Sequence, residues 1–192
     1  GKPLVKYPVK TNGDIGVPLG LLYLAAYVRT HNPTTEISIK DYRLEKYQGT
    51  VRTLEHDLEN IDVASAGGAT TEIPDTLEIL GVAKRLGKIT IAGGIYPSSN
   101  AEQILRTGVV DYVVRGEGEE TFSELLTAIE NNSSVENIRG ISYIKNNTII
   151  NNPNRASLDL KKLSLPAYDL APMDDYAGLV TGSVYSARGC GM

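Results

Sequence analysis

Three short segments place glycine where bare main chain can meet a ligand: Ser65-Ala-Gly-Gly-Ala-Thr-Thr71, Gly93-Gly-Ile-Tyr-Pro97 and Arg115-Gly-Glu-Gly-Glu119. A residue without a Cβ admits close approach and leaves its N–H open as a donor. The candidate binding residues are therefore Ser65, Gly67, Gly68, Thr70 and Thr71 in the first segment, Gly93, Gly94 and Tyr96 in the second, and Arg115, Gly116 and Glu117 in the third. Taken singly, each segment also reads as a tight turn that needs positive φ. The third has the outline of a dinucleotide fingerprint. However, Thr121 stands at its last position, it follows the last strand rather than the first, and its glutamates would repel a pyrophosphate. No phosphate-binding Gly-x-x-x-x-Gly-Lys-Ser/Thr loop is present.

Cys190 is the one cysteine. A lone cysteine is commonly a small buried hydrophobe, but Arg188-Gly-Cys-Gly directly behind a strand-like run suits a metal ligand or a nucleophile. His31 and His56, the only histidines, fall in helical or helix-end stretches away from the glycine loops, where they read as surface or capping residues. They build no Ser-His-Asp or Cys-His arrangement. Asp14 lies in the segment from Thr11 to Gly20, which is long for a strand-to-helix connection and reads equally as a ligand cover or a plain connector.

The elements that must position these loops are legible from periodicity. β-Branched runs at Leu4–Tyr7, Glu36–Asp41, Ile61–Ala66, Ile89–Ala92 and Asp111–Arg115 alternate with helically spaced apolar residues. The helical sets are Leu19, Leu22, Tyr23 and Ala26, then Ile79, Val82, Ala83 and Leu86, then Phe122, Leu125, Leu126 and Ile129. Such alternation predicts an α/β domain: a doubly wound, five-stranded parallel sheet in the flavodoxin-like order 2-1-3-4-5. All three glycine segments then follow strands at the carboxyl edge of the sheet, where open α/β sheets bind ligands. Beyond Asn131, Gly140–Lys145 and Thr148–Asn151 flank Asn146-Asn147, which predicts a β-hairpin, expected outside the sheet. A proline-containing linker follows. The expected division is 1–132 for the α/β domain, 133–178 for hairpin and linker, and 179–192 for the start of a further, cut domain.

Composition narrows the class. The formal charge of −4 over 192 residues argues against a nucleic-acid platform, and the single cysteine excludes an internal disulfide framework. No apolar run is long enough to span a membrane and no apolar signal core follows Lys2, so a cytoplasmic location is expected.

In order along its whole length, the chain resembles the N-terminal region of radical S-adenosylmethionine enzymes that carry a cobalamin-binding domain. The resemblance rests on Pro18-Leu-Gly-Leu-Leu-Tyr-Leu-Ala-Ala-Tyr-Val28, Gly93-Gly-Ile-Tyr-Pro97, Asp111-Tyr-Val-Val-Arg-Gly-Glu-Gly-Glu-Glu-Thr-Phe122, Gly140-Ile-Ser-Tyr, Leu165-Pro-Ala-Tyr-Asp-Leu170 and Ser186-Ala-Arg-Gly-Cys190. It implies cobalamin as cofactor and methyl transfer to an unactivated carbon or phosphorus centre. Gly67, Gly68, Thr70 and Thr71 would line the nucleotide-tail channel, Gly93, Gly94 and Tyr96 would approach the tail or the corrin edge, and Arg115, Gly116 and Glu117 would close the third side. It further implies that Cys190 is the first ligand of a [4Fe–4S] cluster in the intact protein, with S-adenosylmethionine and the chain's own C-terminal radical domain as partners. With one thiolate, this stretch is expected to hold no cluster and no activity alone. The loop after the first strand lacks the histidine that some cobalamin domains place on cobalt, so binding with neither dimethylbenzimidazole nor a histidine on the metal is expected. An oxidative cyclase of the magnesium-protoporphyrin type, a scaffold that has lost cobalamin, and a flavin or nucleotide binder are the alternatives.

Overall fold

The computed structural model describes residues 4–7, 16–47, 53–176 and 184. Among the described residues, one sheet contains β1 (Leu4–Tyr7), β2 (Ser38–Asp41), β3 (Val63–Gly67), β4 (Ile89–Gly93), β5 (Tyr112–Val114), β6 (Ile141–Lys145) and β7 (Thr148–Asn151), in the order β2-β1-β3-β4-β5-β6-β7. Strands β1 to β5 are parallel and keep the order 2-1-3-4-5 read from the sequence. The helices are α1 (Leu19–His31), α2 (Tyr42–Tyr47), α3 (Leu54–Leu58), α4 (Ile73–Arg85), α5 (Ile95–Ser99), α6 (Ala101–Leu105) and α7 (Glu119–Glu130).

Strand alternation sorts the core into two layers. Val63, Ile91 and Val114 face α1 and α7, where Ala25, Ala26, Val28, Phe122, Leu125 and Leu126 meet them. Their neighbours Ala64, Ala66, Ala92 and Val113 face the opposite way, onto Leu58 of α3, Ile79, Leu80 and Ala83 of α4, and Ile104 and Leu105 of α6. Every residue of β3 is buried, as expected for a parallel strand covered on both sides. Leu86, expected in the α4 stripe, is exposed because α4 ends at Arg85 and Gly87 (φ +74) turns the chain away.

The hairpin departs from expectation. Its turn is as predicted, with Asn146 and Asn147 at φ +50 and +61. It does not stand outside the sheet, however: β6 pairs antiparallel with β5, Tyr112 opposite Tyr143 and Val114 opposite Ile141, and extends the sheet to seven strands. The cause is the open edge of β5. An unpaired central-type strand leaves a row of N–H and C=O groups unsatisfied, and β6 fills them while burying Ile141 and Tyr143 against the α1/α7 layer.

From β7 the chain returns across this same layer as a strap. Arg155 bonds Thr121 at 2.9 Å and Glu120 at 3.0 Å, and also reaches Glu124. The Ala167 N–H donates to the Leu22 carbonyl at 3.1 Å, Arg29 pairs with Asp169 at 2.7 Å, and a helical turn at Met173–Tyr176 brings Tyr176 to Asp41 at the carboxyl end of β2. None of the described helices is long and apolar enough to cross a membrane.

Candidate functional site

The carboxyl edge of the sheet is assembled from backbone meeting backbone. Gly67 ends β3 opposite Gly93 at the end of β4, and a Cβ on Gly67 would collide with the Gly93 carbonyl. The Gly68 N–H donates to that carbonyl at 3.2 Å. Gly94 then turns at φ +92, ψ −171, a conformation that L side chains rarely adopt. A Cβ there would lie 2.8 Å from the Gly68 nitrogen. The Tyr96 N–H closes the lacing by donating to the Gly68 carbonyl at 3.1 Å. Gly67 and Gly94 thus let the two loops touch main chain to main chain, and Gly68 leaves room for the Glu72 carboxylate.

Ser98, which sequence reasoning overlooked, joins this pair to the third loop. Its hydroxyl donates to the Gly94 carbonyl at 2.6 Å and accepts the Gly116 N–H at 3.0 Å. Its signal was faint, since a serine one turn into a short helix usually bonds only its own helix. Glu72, also overlooked, accepts the Ala69 N–H at 2.7 Å, and its carboxylate lies where a Gly68 side chain would go. Thr70 and Thr71 stand exposed beside it in a single helical turn, Thr70–Glu72. Ile95, 78% exposed, is the apolar side chain that the Gly93-Gly94 turn leaves at the rim.

The remaining predicted residues separate into those at the rim and those turned elsewhere. Ser65 is buried within β3, on the Val63 side by alternation, one layer below the loops. Tyr96 gives its N–H to the Gly68 carbonyl, its hydroxyl donates to Gln103 at 3.1 Å, and its ring packs on the α4/α6 layer. Glu117 accepts the Leu158 N–H of the strap. Arg115 turns toward the hairpin: its N–H bonds the Gly140 carbonyl at 2.7 Å, and its guanidinium reaches the carbonyls of Ile141 (3.3 Å) and Asn152 and the Asn154 side chain (2.5 Å). Burial holds the Arg115 pKa below the ordinary arginine value. It acts as a latch between β5 and the hairpin.

His31 stacks on Tyr27 at the far end of α1, and His56 is exposed beside Glu59. Among the described residues, no group of three or more His, Cys, Asp or Glu side chains is placed to hold a metal ion. Asp14 and Cys190 lie outside the described residues, as does the expected start of a further domain at 179–192 apart from Val184. At the opposite edge of the sheet, a cavity of about 250 Å³ is lined by Lys84, Gly87, Lys88, Ile89, Asp111 and Tyr112. Asp111 there accepts from Thr90 N–H and hydroxyl, both at 3.0 Å, and pairs with Lys84.

The sequence model of the B12 binding domain matches residues 6–126, from within β1 into α7. The chain belongs to the B12-binding domain family. An uncharacterized methyltransferase of Pyrococcus horikoshii is 31% identical over 186 residues, which is 93% of this chain and 39% of that protein. An anaerobic magnesium-protoporphyrin IX monomethyl ester cyclase of Synechocystis is 30% identical over 106 residues, 53% of this chain and 21% of the cyclase. The chain therefore spans well under half the length of these relatives. Among solved structures, the cobalamin-dependent S-adenosylmethionine radical enzyme OxsB superposes with a TM-score of 0.74 at 15% identity, over 92% of this chain and 25% of that one. The radical S-adenosylmethionine methyltransferase TsrM from Kitasatospora setae gives 0.68 at 19% identity, over 79% and 30%. These likenesses place this member of the B12-binding domain family in the flavodoxin-like fold.

Proposed function

We propose that this B12-binding domain holds cobalamin along its carboxyl edge as the cofactor module of a cytoplasmic radical S-adenosylmethionine methyltransferase. One observation supports the binding half: at the carboxyl edge the β3 and β4 loops meet main chain to main chain, a contact that a Cβ on Gly67 or Gly94 would break. The similarity to a methyltransferase over 93% of the chain supports the catalytic half. Residues 1–132 form the cofactor domain, 133–178 the hairpin and strap, and 179–192 the start of the radical domain, in which Cys190 is the first [4Fe–4S] ligand.

When bound, cobalamin supplies a carrier for the methyl group. The chain's own residues bind and orient. Gly68 and Gly94, packed against each other, would form the floor beneath the nucleotide tail. Thr70 and Thr71 offer hydroxyl donors at its mouth, and Ile95 offers an apolar contact to a corrin edge. Gly116 and Ser98 hold the third wall, while Glu117 and Arg115 fasten that wall to strap and hairpin. Neither His31 nor His56 lies at this edge, so neither would hold the cofactor there. Titration of the full-length protein with hydroxocobalamin tests the reading: the base-off absorbance spectrum is expected, unchanged in His31→Ala and His56→Ala. Absence of binding would hand the reading to a scaffold. Cyclisation rather than methyl transfer is the second reading, favoured by the cyclase likeness over 53% of the chain, and product analysis separates the two.

A further inference from the structure

The cavity of about 250 Å³ at the amino ends of β4 and β5 lies away from the cofactor edge and is lined by Lys84, Gly87, Lys88, Ile89, Asp111 and Tyr112. At about 30 Å³ per water it has room for more than a single solvent molecule. Ile89 and Tyr112 give it an apolar side, since both are half-buried and pack on the α1/α7 layer. Lys84 comes from the last turn of α4, and Lys88 from the turn into β4. Lys84 and Gly87 are exposed, so the cavity reaches solvent. A Cβ on Gly87 would meet nothing within 4 Å, which leaves that position of the lining clear.

The hydrogen-bond balance around this cavity is uneven. Lys84 gives one N–H to Asp111, and Lys88 gives one to the Glu59 carbonyl at 2.7 Å, at the C-terminus of α3. An ammonium carries three donors, so each lysine serves the fold with one and keeps two. The Tyr112 ring leans on Tyr143, and its hydroxyl has no partner among the described residues. Asp111, the lining carboxylate, is nearly spent: Oδ1 takes Lys84, and Oδ2 takes the Thr90 N–H and hydroxyl, both at 3.0 Å. Donors therefore exceed acceptors, and two ammoniums outweigh one carboxylate. The C-terminus of α4 adds a partial negative charge nearby, which the second ammonium offsets.

We propose that this cavity is a second binding site, for a small phosphate held by Lys84, Lys88 and the Tyr112 hydroxyl. A carboxylate carries one charge, whereas a phosphate monoester carries about −1.5 to −2 at neutral pH and suits a pair of ammoniums. Its oxygens are acceptors, which is what the surplus donors lack, and lysine meets it as a point charge without demanding a fixed geometry. Ile89 and the Tyr112 ring would meet the organic body of an ester. The site stands at the opposite edge from the glycine loops and does not rest on the cobalamin reading.

Calorimetric titration of the full-length protein with inorganic phosphate and with phenyl phosphate, at fixed ionic strength, measures the affinity. Hydrogen–deuterium exchange locates the site, with slowing expected at 84–89 and 111–112. Tighter binding of phenyl phosphate assigns the site to an ester, and equal affinities assign it to the free ion. Lys88→Gln keeps a donor for the Glu59 carbonyl but loses the charge, and should weaken phosphate binding about tenfold. Tyr112→Phe keeps the ring and loses the hydroxyl, and should weaken it about fivefold. Lys161→Gln removes an exposed ammonium from the strap and should leave it within about twofold. Absence of both heat and slowing would mean that the cavity holds only water. Affinity unchanged in either Lys88→Gln or Tyr112→Phe, slowing confined to other segments, or an equal loss in Lys161→Gln would each overturn the site.

Discussion

Gly94→Ala puts the backbone cradle to a quantitative test. At φ +92 and ψ −171 a residue with a side chain is strained by about 1–3 kcal/mol. The new Cβ would stand 2.8 Å from the Gly68 nitrogen and 3.1 Å from its Cα, so the β3 and β4 loops must part. Parting stretches the Gly68-to-Gly93 bond of 3.2 Å and the Tyr96-to-Gly68 bond of 3.1 Å, each contributing about 1 kcal/mol. The expected destabilisation is about 3–5 kcal/mol in all. Gly116→Ala is the matched control, because φ is +75 and nothing lies within 4 Å of the added Cβ. It should cost only its left-handed strain, about 1–2 kcal/mol. Urea unfolding of the chain followed by circular dichroism gives the difference, and hydroxocobalamin titration by absorbance gives the functional counterpart. Gly94→Ala should bind about tenfold more weakly, a change of about 1.4 kcal/mol. Equal stability losses at the two glycines, or full binding by Gly94→Ala, would refute the laced-loop argument.

Three further expectations follow from single contacts. Arg115→Met removes the bonds to Ile141, Asn152 and Asn154 and should cost about 2–3 kcal/mol in urea unfolding while leaving hydroxocobalamin affinity unchanged; a large affinity loss without a stability loss would make Arg115 a ligand contact. Ser98→Ala cuts the bridge between the Gly94 carbonyl and the Gly116 N–H, so a loss of about 1–2 kcal/mol is expected, and none would mean that water replaces the hydroxyl. At alkaline pH, burial first, then the charge and bond of Asp41, raise the Tyr176 pKa above its ordinary 10.0. Above that pH the unfolded tyrosine ionises while the folded one keeps its proton, so the unfolded state holds fewer protons and stability falls. Tyr176→Phe should flatten that fall by up to about 1.4 kcal/mol per pH unit, as read by urea midpoints, and an identical slope in the variant would rule it out.

The legible and illegible parts of this fold differ in what sets them. β-Branched runs and helical spacing report which face of an element is buried, and that suffices for the five parallel strands and for α1, α4 and α7. The alternation of Ile141, Ser142 and Tyr143 reports a buried face equally well. It cannot say which open strand edge the face lies beside, so the hairpin's junction with β5 was invisible. The glycine loops were found because a missing side chain is itself a signal. The partners of Arg115 were hidden for the opposite reason. A charged residue in a strand-end loop looks available to a ligand until the carbonyls of a distant hairpin claim its guanidinium. Ser98 and Tyr176 carried no local pattern at all, since their partners lie in other loops or far along the chain.

The two edges of the sheet show how one set of strands serves unlike ends. At the amino ends of β4 and β5, side chains close the structure: Lys84 pairs with Asp111, and Asp111 is bonded to Thr90 through both N–H and hydroxyl. Each of those groups has its partner among the domain's own side chains, even where they line the 250 Å³ cavity. The carboxyl ends are built the other way. There Gly67, Gly68, Gly93 and Gly94 withhold side chains, and loop meets loop through main-chain bonds. Fixing glycine in one conformation costs more backbone entropy than fixing any other residue. Four such residues on one edge would be a pure loss in a domain selected for stability alone. The lacing through Ser98 to Gly94 and Gly116 offsets that loss by tying the bare loops to α5 and to the end of β5. Stability at this end is thereby drawn from contacts between loops and not from side chains of the glycine positions themselves.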